Sequence, residues 1–247
     1  MVNKVVICAA GKGTRMGELS QDKPKHLIEV NGKPFLAYVL DNLLEAGYKD
    51  ITLIVGYQGQ SIEEFLKEYK YNVKVINQFE FFNFNEKNGT AVPLMCVKDI
   101  NEQFLYVSGD NYYSAEDLKA INIDDEFSYV SGIENEHPEN FGVLVADGEF
   151  LTKIVEKPLQ LGSGRAKEFF GNLINVSMYK FTPEIFDKLG QIEKSPRGEY
   201  EITDAVSLLA KEKGVKINKI NGFWMDFGRP EDVKKLEYFL NGNNKSQ

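Results

Sequence analysis

Short runs of β-branched and aromatic residues recur along the chain at 4–9, 51–55, 73–76 and 104–107, each of a length that suits a strand buried on both faces. Between them the apolar positions change to helical spacing. Phe35, Leu36, Val39, Leu40, Leu43 and Leu44 line one face up to Gly47, a natural stop, and Ile62, Phe65, Leu66 and Tyr69 repeat the pattern. This alternation predicts an α/β fold built on a doubly wound, mostly parallel central sheet.

From about residue 127 the texture changes. Apolar stretches at 127–133, 141–145, 151–155 and 173–181 follow one another closely, which predicts an antiparallel addition to the parallel part. Thr182-Pro183 reads as a helix cap plus first turn, and Gly228-Arg229-Pro230 opens a last helix that should end near Leu240. The polar tail 241–247 is expected to fray. The chain has no Pro-rich or Ser-rich linker and no repeat of solenoid period, so residues 1–240 are expected to form one domain.

The first apolar run delivers Ala10-Gly11-Lys12-Gly13-Thr14-Arg15-Met16, followed by Lys23-Pro24-Lys25. Two glycines allow a tight turn that aims several N–H groups at one anion, while Arg15 and Lys25 add full positive charge. A phosphate chain fits such a loop. An ordinary strand-to-helix turn with solvated lysines remains the alternative, because the dinucleotide fingerprint would need glycine where Met16 stands and the P-loop pattern occurs nowhere in the chain.

Charge narrows the guest. The net charge is −8 with a pI near 5.0, which argues against a nucleic-acid surface, yet Lys12, Arg15, Lys23, Lys25 and Lys33 cluster within residues 12–33. A small anionic ligand accounts for a basic patch in an acidic chain better than a long polyanion does. Cys8 and Cys96 lie in apolar stretches and, with only His26 and His137 as further soft ligands, suggest neither a disulfide framework nor a zinc site. The first apolar run is too short for a secretory signal, and no stretch has membrane-spanning length, so no membrane partner and a cytoplasmic location are expected.

Further motifs follow in order. Ser108-Gly109-Asp110-Asn111, Val155-Glu156-Lys157-Pro158, Asn175-Val176-Ser177-Met178-Tyr179, Gly198-Glu199-Tyr200-Glu201-Ile202-Thr203-Asp204-Ala205 and Trp224-Met225-Asp226-Phe227-Gly228 succeed the glycine loop and its Pro24-Lys25. Together they resemble the sugar-1-phosphate nucleotidyltransferases, in particular the glucose-1-phosphate thymidylyltransferases and uridylyltransferases. The resemblance implies a Rossmann-like nucleotidyltransferase fold whose antiparallel part covers the sugar side. It also implies attack by a sugar-1-phosphate oxygen on the α-phosphorus of UTP or dTTP, with release of pyrophosphate.

The same resemblance assigns residues. Asp110 and Asp226 would be the two ligands of a Mg²⁺ ion, and with Arg15 and Lys25 they would form the catalytic set. Ala10, Gly11, Gly13, Thr14, Arg15 and Lys25 would hold the nucleotide, with Gln78 and Gly89 on the base. Gly142, Glu156, Lys157 and Asn175 would hold the sugar phosphate. Taken singly, Asp110 could be a helix cap or turn residue, Glu156-Lys157-Pro158 the end of an edge strand, and Gln78 a surface loop residue. Strand alternation sets Asp226 opposite Phe223, Met225 and Phe227. The partners implied are a nucleoside triphosphate and a sugar-1-phosphate, and a homo-oligomer is left open.

Two departures stand out. Ser177 occupies a position that is usually glycine in the family block. The segment 78–87 is unusually aromatic, with Phe79, Phe81, Phe82 and Phe84; these rings suit a packed lid or interface, or else a box for a quaternary ammonium. That second reading keeps alive a CTP-dependent cytidylyltransferase acting on phosphocholine or a related alcohol phosphate. A non-catalytic nucleotide-binding module would be expected to have lost Arg15 or a metal carboxylate, and none is lost. No hexapeptide repeat follows residue 240, so no acyltransferase β-helix is expected within this chain.

Overall fold

The computed structural model describes residues 2–83 and 87–242. The first strand, β1 (Lys4–Ala9), is followed by a 3-10 segment at Thr14–Ser20, a short hairpin of β2 (Glu29–Val30) and β3 (Lys33–Pro34), and helix α1 (Phe35–Glu45). Then come β4 (Asp50–Val55), α2 (Gly59–Glu68), β5 (Lys74–Asn77), α3 (Val92–Met95), β6 (Phe104–Ser108), β7 (Asn111–Tyr113) and α4 (Ala115–Ala120). The second half holds β8 (Ser128–Glu134), β9 (Gly142–Asp147), β10 (Phe150–Glu156), α5 (Gly162–Phe170), β11 (Leu173–Phe181) and α6 (Ile185–Leu189). It ends with α7 (Ile202–Ala210), β12 (Val215–Lys219), β13 (Trp224–Asp226) and α8 (Pro230–Leu240).

Nine strands form one sheet in the order β5-β4-β1-β6-β11-β8-β12-β10-β9. β5, β4, β1 and β6 pair in parallel, as their near-continuous apolar sequences require, because both faces of this half are covered. The antiparallel strands are not a separate layer. They extend the same sheet edge-on through β11, which runs against β6, β8 and β9, so the sheet is mixed, with β8 and β12 adding one more parallel pair.

The two apolar cores lie on opposite faces. Val5, Ile7 and Leu53 point to one, with α1 and α2, while Val6, Ile54 and Tyr106 point to the other, with α3, α6 and α7. Among the described residues no helix is long and apolar enough to cross a membrane.

One sequence expectation needs correction. Thr182 does not cap a helix with its side chain: its hydroxyl meets Ser128 Oγ at 3.1 Å, and α6 starts only at Ile185, after a turn closed by Ile185 N–H on the Thr182 carbonyl. At the start of the expected tail, the Asn241 N–H closes onto the Glu237 carbonyl at 3.0 Å and its side chain accepts from Asn31 Nδ2 at 3.1 Å. Residues 243–247 of that tail lie outside the described residues, as does Phe84 of the aromatic segment.

Candidate active site

In a parallel sheet the ligand crevice lies beyond the carboxyl ends of the strands, and there β1, β5 and β6 release the loops that carry Gly11–Arg15, Gln78 and Asp110. Gly13 has φ +66°, a conformation that glycine takes without strain, and a side chain there would press on the aliphatic stem of Lys25 at 3.2–3.3 Å. Its carbonyl accepts from Met16 N–H and Ser20 Oγ, so the turn is anchored from below, while Gly11, Thr14 and Arg15 stay exposed. Ala10 is buried, with its carbonyl facing Gly56.

Lys25 is only 7% exposed and makes an ion pair with Asp110. Asp110 leaves β6 through Gly109, whose N–H donates to the Cys8 carbonyl at 2.7 Å and whose missing Cβ lets the turn lie against β1. Burial alone would raise the Asp110 pKa. The charge of Lys25 and hydrogen bonds from Lys25 and Ser108 outweigh it and hold the carboxyl well below the usual range.

Asp226 arrives from the neighbouring ladder. β13 pairs antiparallel with β7, Asp226 opposite Asn111, and the Phe227 N–H donates to the Asp110 carbonyl at 2.7 Å. Met225 and Phe227 are buried on the other face, as strand alternation predicts. Burial and the negative charge of Asp110 push Asp226 up to about 6, against the opposing pull of Lys25 and Arg15. The Arg15 guanidinium lies by Gly228, where a Cβ would stand 3.5 Å from it and 3.3 Å from Asp226 Oδ2. Arg15, Lys25, Asp110 and Asp226 thus converge on one place.

A second cluster forms at the ends of β9 and β10. Gly142 pairs with Glu156, and a Cβ on Gly142 would come within 3.0 Å of Glu156 Oε1, so the glycine leaves room for that carboxylate. Crowding by protein atoms raises the Glu156 pKa despite opposing contributions from Thr203 and Lys157. Lys157 is exposed and has φ +39°, its N–H donating to the Phe141 carbonyl at 3.0 Å. Asn175 sits at an irregularity in β11, donating to Tyr179 Oη at 2.6 Å and accepting from Ser177 N–H at 2.9 Å.

Gln78 and Gly89, expected on the base, are less directly tied to these clusters. Gln78 is 7% exposed, and its buried Oε1 has no hydrogen-bond partner among the described residues. Gly89, at φ +119°, packs against the backbone of Tyr200 so closely that no side chain would fit. No hydrogen bond or ion pair between described residues joins Gln78 to the carboxylate pair.

Sequence reasoning gave no role to Ser108, Thr203 or Glu201. Ser108 Oγ donates to Asp110, Thr203 is 5% exposed beside Glu156, and the Glu201 carboxylate is buried. A polar residue closing an apolar strand, as Ser108 does, was the available signal.

Known proteins resemble this chain over nearly its whole length. The UTP–glucose-1-phosphate uridylyltransferase AglF of Haloferax volcanii is 33% identical over 246 residues, covering 96% of both chains. The bifunctional protein GlmU of Methanocaldococcus jannaschii is 34% identical over 97% of this chain, which spans 54% of that relative's length. A solved UDP-glucose pyrophosphorylase in complex with UDP-glucose superposes with a TM-score of 0.82 at 21% identity, covering 99% of this chain and 100% of the other, and so shares the fold. The sequence profile of the nucleotidyl transferases matches residues 4–242, and with a whole-length relative at that identity the chain belongs to the nucleotidyl transferase family.

Proposed function

We propose that this protein transfers a nucleotidyl group from UTP or dTTP to a hexose-1-phosphate. The phosphate oxygen of the sugar attacks the α-phosphorus, the bond from that phosphorus to the β-phosphate oxygen breaks, and pyrophosphate leaves with the electron pair. The observation that carries this reading is the convergence of Arg15, Lys25, Asp110 and Asp226 at the carboxyl end of a parallel sheet. Such transfer needs positioning and charge neutralisation more than a protein nucleophile.

The carboxylates suit Mg²⁺. Among the described residues no group of three or more His, Cys, Asp or Glu could hold a metal, and Mg²⁺ is commonly bound by one or two carboxylates, the rest of its shell coming from water and substrate phosphates. The raised Asp226 pKa marks a carboxyl that is buried and faces a like charge, and a divalent cation would relieve both effects. When bound, the ion would screen the phosphates and polarise the α-phosphoryl group.

The chain's own groups do the rest. The Gly11–Gly13 turn presents backbone N–H groups to the triphosphate, and Arg15 offers planar donors to the departing pyrophosphate. Lys25, fixed by Asp110, sets a positive charge beside the reacting phosphate. The orphaned Gln78 Oε1 and the bare backbone at Gly89 suit a pyrimidine edge, where an unmatched base leaves polar atoms unpaired. Lys157 meets the acceptor phosphate, and Glu156, Asn175 and the Gly142 backbone meet sugar hydroxyls.

The aromatic segment supports the sugar reading over the choline one. Lys87 Nζ lies 4.9 Å from the Phe82 ring centroid and 5.5 Å from that of Tyr200, so the chain's own ammonium occupies that π-surface. Phe79 and Phe81 face solvent. Pyrophosphate release measured over UTP, dTTP, CTP, ATP and GTP, against several sugar-1-phosphates and phosphocholine, tests the function. Turnover with UTP or dTTP and a hexose-1-phosphate is expected; turnover confined to CTP with phosphocholine would replace this reading.

A further inference from the structure

Glu201 is 4% exposed and has no place in the reaction described above, yet its two carboxylate oxygens gather three separate donors. Oε1 accepts from Ser195 Oγ at 3.3 Å and from the Arg197 guanidinium at 2.8 Å, which folds the turn before α7 onto its start. Oε2 accepts from Thr90 Oγ1 at 3.1 Å, and Thr90 Oγ1 in turn accepts from the Ile202 N–H at 2.9 Å. A buried carboxylate is retained only where such donors repay its lost hydration.

Thr90 follows Gly89. Its loop is moored further: the Ala91 N–H donates to the Tyr200 carbonyl, the Tyr200 N–H donates to the Asn88 carbonyl, both at 2.9 Å, and Tyr106 Oη donates to the Thr90 carbonyl at 3.3 Å. The base-side loop is therefore docked on residues 200–202. Those residues launch α7, which packs along β10 and whose Ser207 Oγ accepts from the Ile154 N–H at 3.2 Å. β10 ends at Glu156, beside which Thr203 is buried. One continuous set of contacts thus runs from Gly89 through Glu201 and α7 to Glu156.

We propose that Glu201, acting through Thr90, is a positioning residue that holds the base side and the sugar side of the cleft in a single register, so that nucleotide discrimination and acceptor affinity depend on one buried hydrogen-bonded carboxylate. The inference rests on the assignment of Gly89 to the base and Glu156 to the sugar. The mechanism is mechanical: α7 is the rigid element, and Glu201 fixes the loop to its first turn.

Thr90→Val removes the hydroxyl while keeping shape at a surface position, and Thr90→Ser restores it. Steady-state kinetics with UTP and CTP, each against glucose-1-phosphate, read the effect. For Thr90→Val we expect the ratio of kcat/KM for UTP over CTP to fall at least about fivefold and the KM for glucose-1-phosphate to rise about threefold or more, with kcat at saturation within about twofold. Thr90→Ser should match the parent. Glu201→Gln should reproduce Thr90→Val, and the double variant should be no worse than the more impaired single one, because both act on one contact.

An unchanged UTP:CTP ratio in Thr90→Val would overturn the inference, and so would a shifted ratio with an unchanged sugar KM. If Glu201→Gln fails to fold, the Thr90 pair decides alone. A parent protein with no turnover of any nucleotide and sugar-1-phosphate would overturn the functional assignment and this inference with it, whereas an active parent with indifferent Thr90→Val overturns the inference only.

Discussion

Asp226 faces Asp110 from the adjacent ladder, and the two carboxyls are driven in opposite directions: Asp110 is held ionised by Lys25 and Ser108, while Asp226 is pushed up to about 6 by burial and by Asp110 itself. The pair is thus asymmetric before any cation arrives. One member stabilises the fold as an anion, and the other strains it.

Asp226→Asn should therefore stabilise the metal-free protein at pH 8. A carboxyl raised in the folded state binds its proton more tightly there than in the unfolded chain, so its contribution is present below about pH 4 and is lost as pH rises through about 6. The shift corresponds to about 3 kcal/mol at most, and partial exposure reduces the expected gain to about 1–2 kcal/mol at pH 8, vanishing near pH 3.5. Turnover should fall at least about a hundredfold. Denaturant melts at the two pH values check the first claim, and a variant less stable than the parent at pH 8 would refute it.

Asp110→Asn should lose turnover comparably but destabilise the fold. It leaves Lys25, 7% exposed, without its anion, and breaking a buried pair on one side costs about 3 kcal/mol. Here the sign is reversed: the depressed pKa of Asp110 gives stability above the unfolded value near 4 that disappears as pH falls, so parent and variant should converge on acidification. Equal stability at pH 7 would show that the ion pair contributes nothing.

Arg15 and Lys157 belong to different clusters, so their losses should separate kinetically. Lys157→Ala should raise the sugar-1-phosphate KM about tenfold or more with a smaller effect on nucleotide KM, whereas Arg15→Ala should lower kcat and weaken nucleoside triphosphate use. A Lys157→Ala variant altered only in nucleotide KM would move Lys157 out of the acceptor site.

Much of this architecture is legible in the chain. Strands β1 and β11 begin and end where their apolar patterns do, because each is buried at most of its positions. The α8 start is equally plain, since Pro230 occupies the first turn and Asp232 accepts from the Arg229 and Gly228 N–H groups. What stays hidden is pairing at long range. Lys25 reads as a phosphate residue from its own loop and Asp110 as a metal ligand only through the family resemblance, and nothing local shows that they bind each other across 85 positions. Glu201 lies in the polar stretch 193–201, which looks solvated until Thr90, Ser195 and Arg197 close over it. Thr182 misleads for the converse reason: a hydroxyl before proline suits a cap, but Ser128 on the neighbouring strand claims it.

Phe81→Leu combined with Phe82→Leu should leave substrate preference unchanged. Phe81 is 52% exposed and Phe82 is partly buried under Lys87, so the change trims a lid at a cost of about 1 kcal/mol. A collapse of phosphocholine turnover in the double variant, from a measurable level in the parent, would restore the quaternary-ammonium box.

Ser177 gives the last test, because the serine that stands where the family usually has glycine adopts φ +56°. That left-handed conformation costs an ordinary side chain about 1 kcal/mol and costs glycine almost nothing. The surrounding bonds enforce it: the Ser177 N–H donates to Asn175 Oδ1, and Tyr113 Oη donates to the Ser177 and Val176 carbonyls, each at 2.9 Å, so the bulge in β11 persists whatever residue fills it. Glycine gains in the folded state but gives the unfolded chain more freedom, and the two effects oppose each other. Ser177→Gly should consequently raise stability by about 0.5 kcal/mol, whereas Ser177→Ala, which keeps the strain and loses only the hydroxyl, should not. Urea midpoints for the three proteins decide the matter. A Ser177→Gly variant less stable than Ser177→Ala would mean that the backbone at this position is not strained.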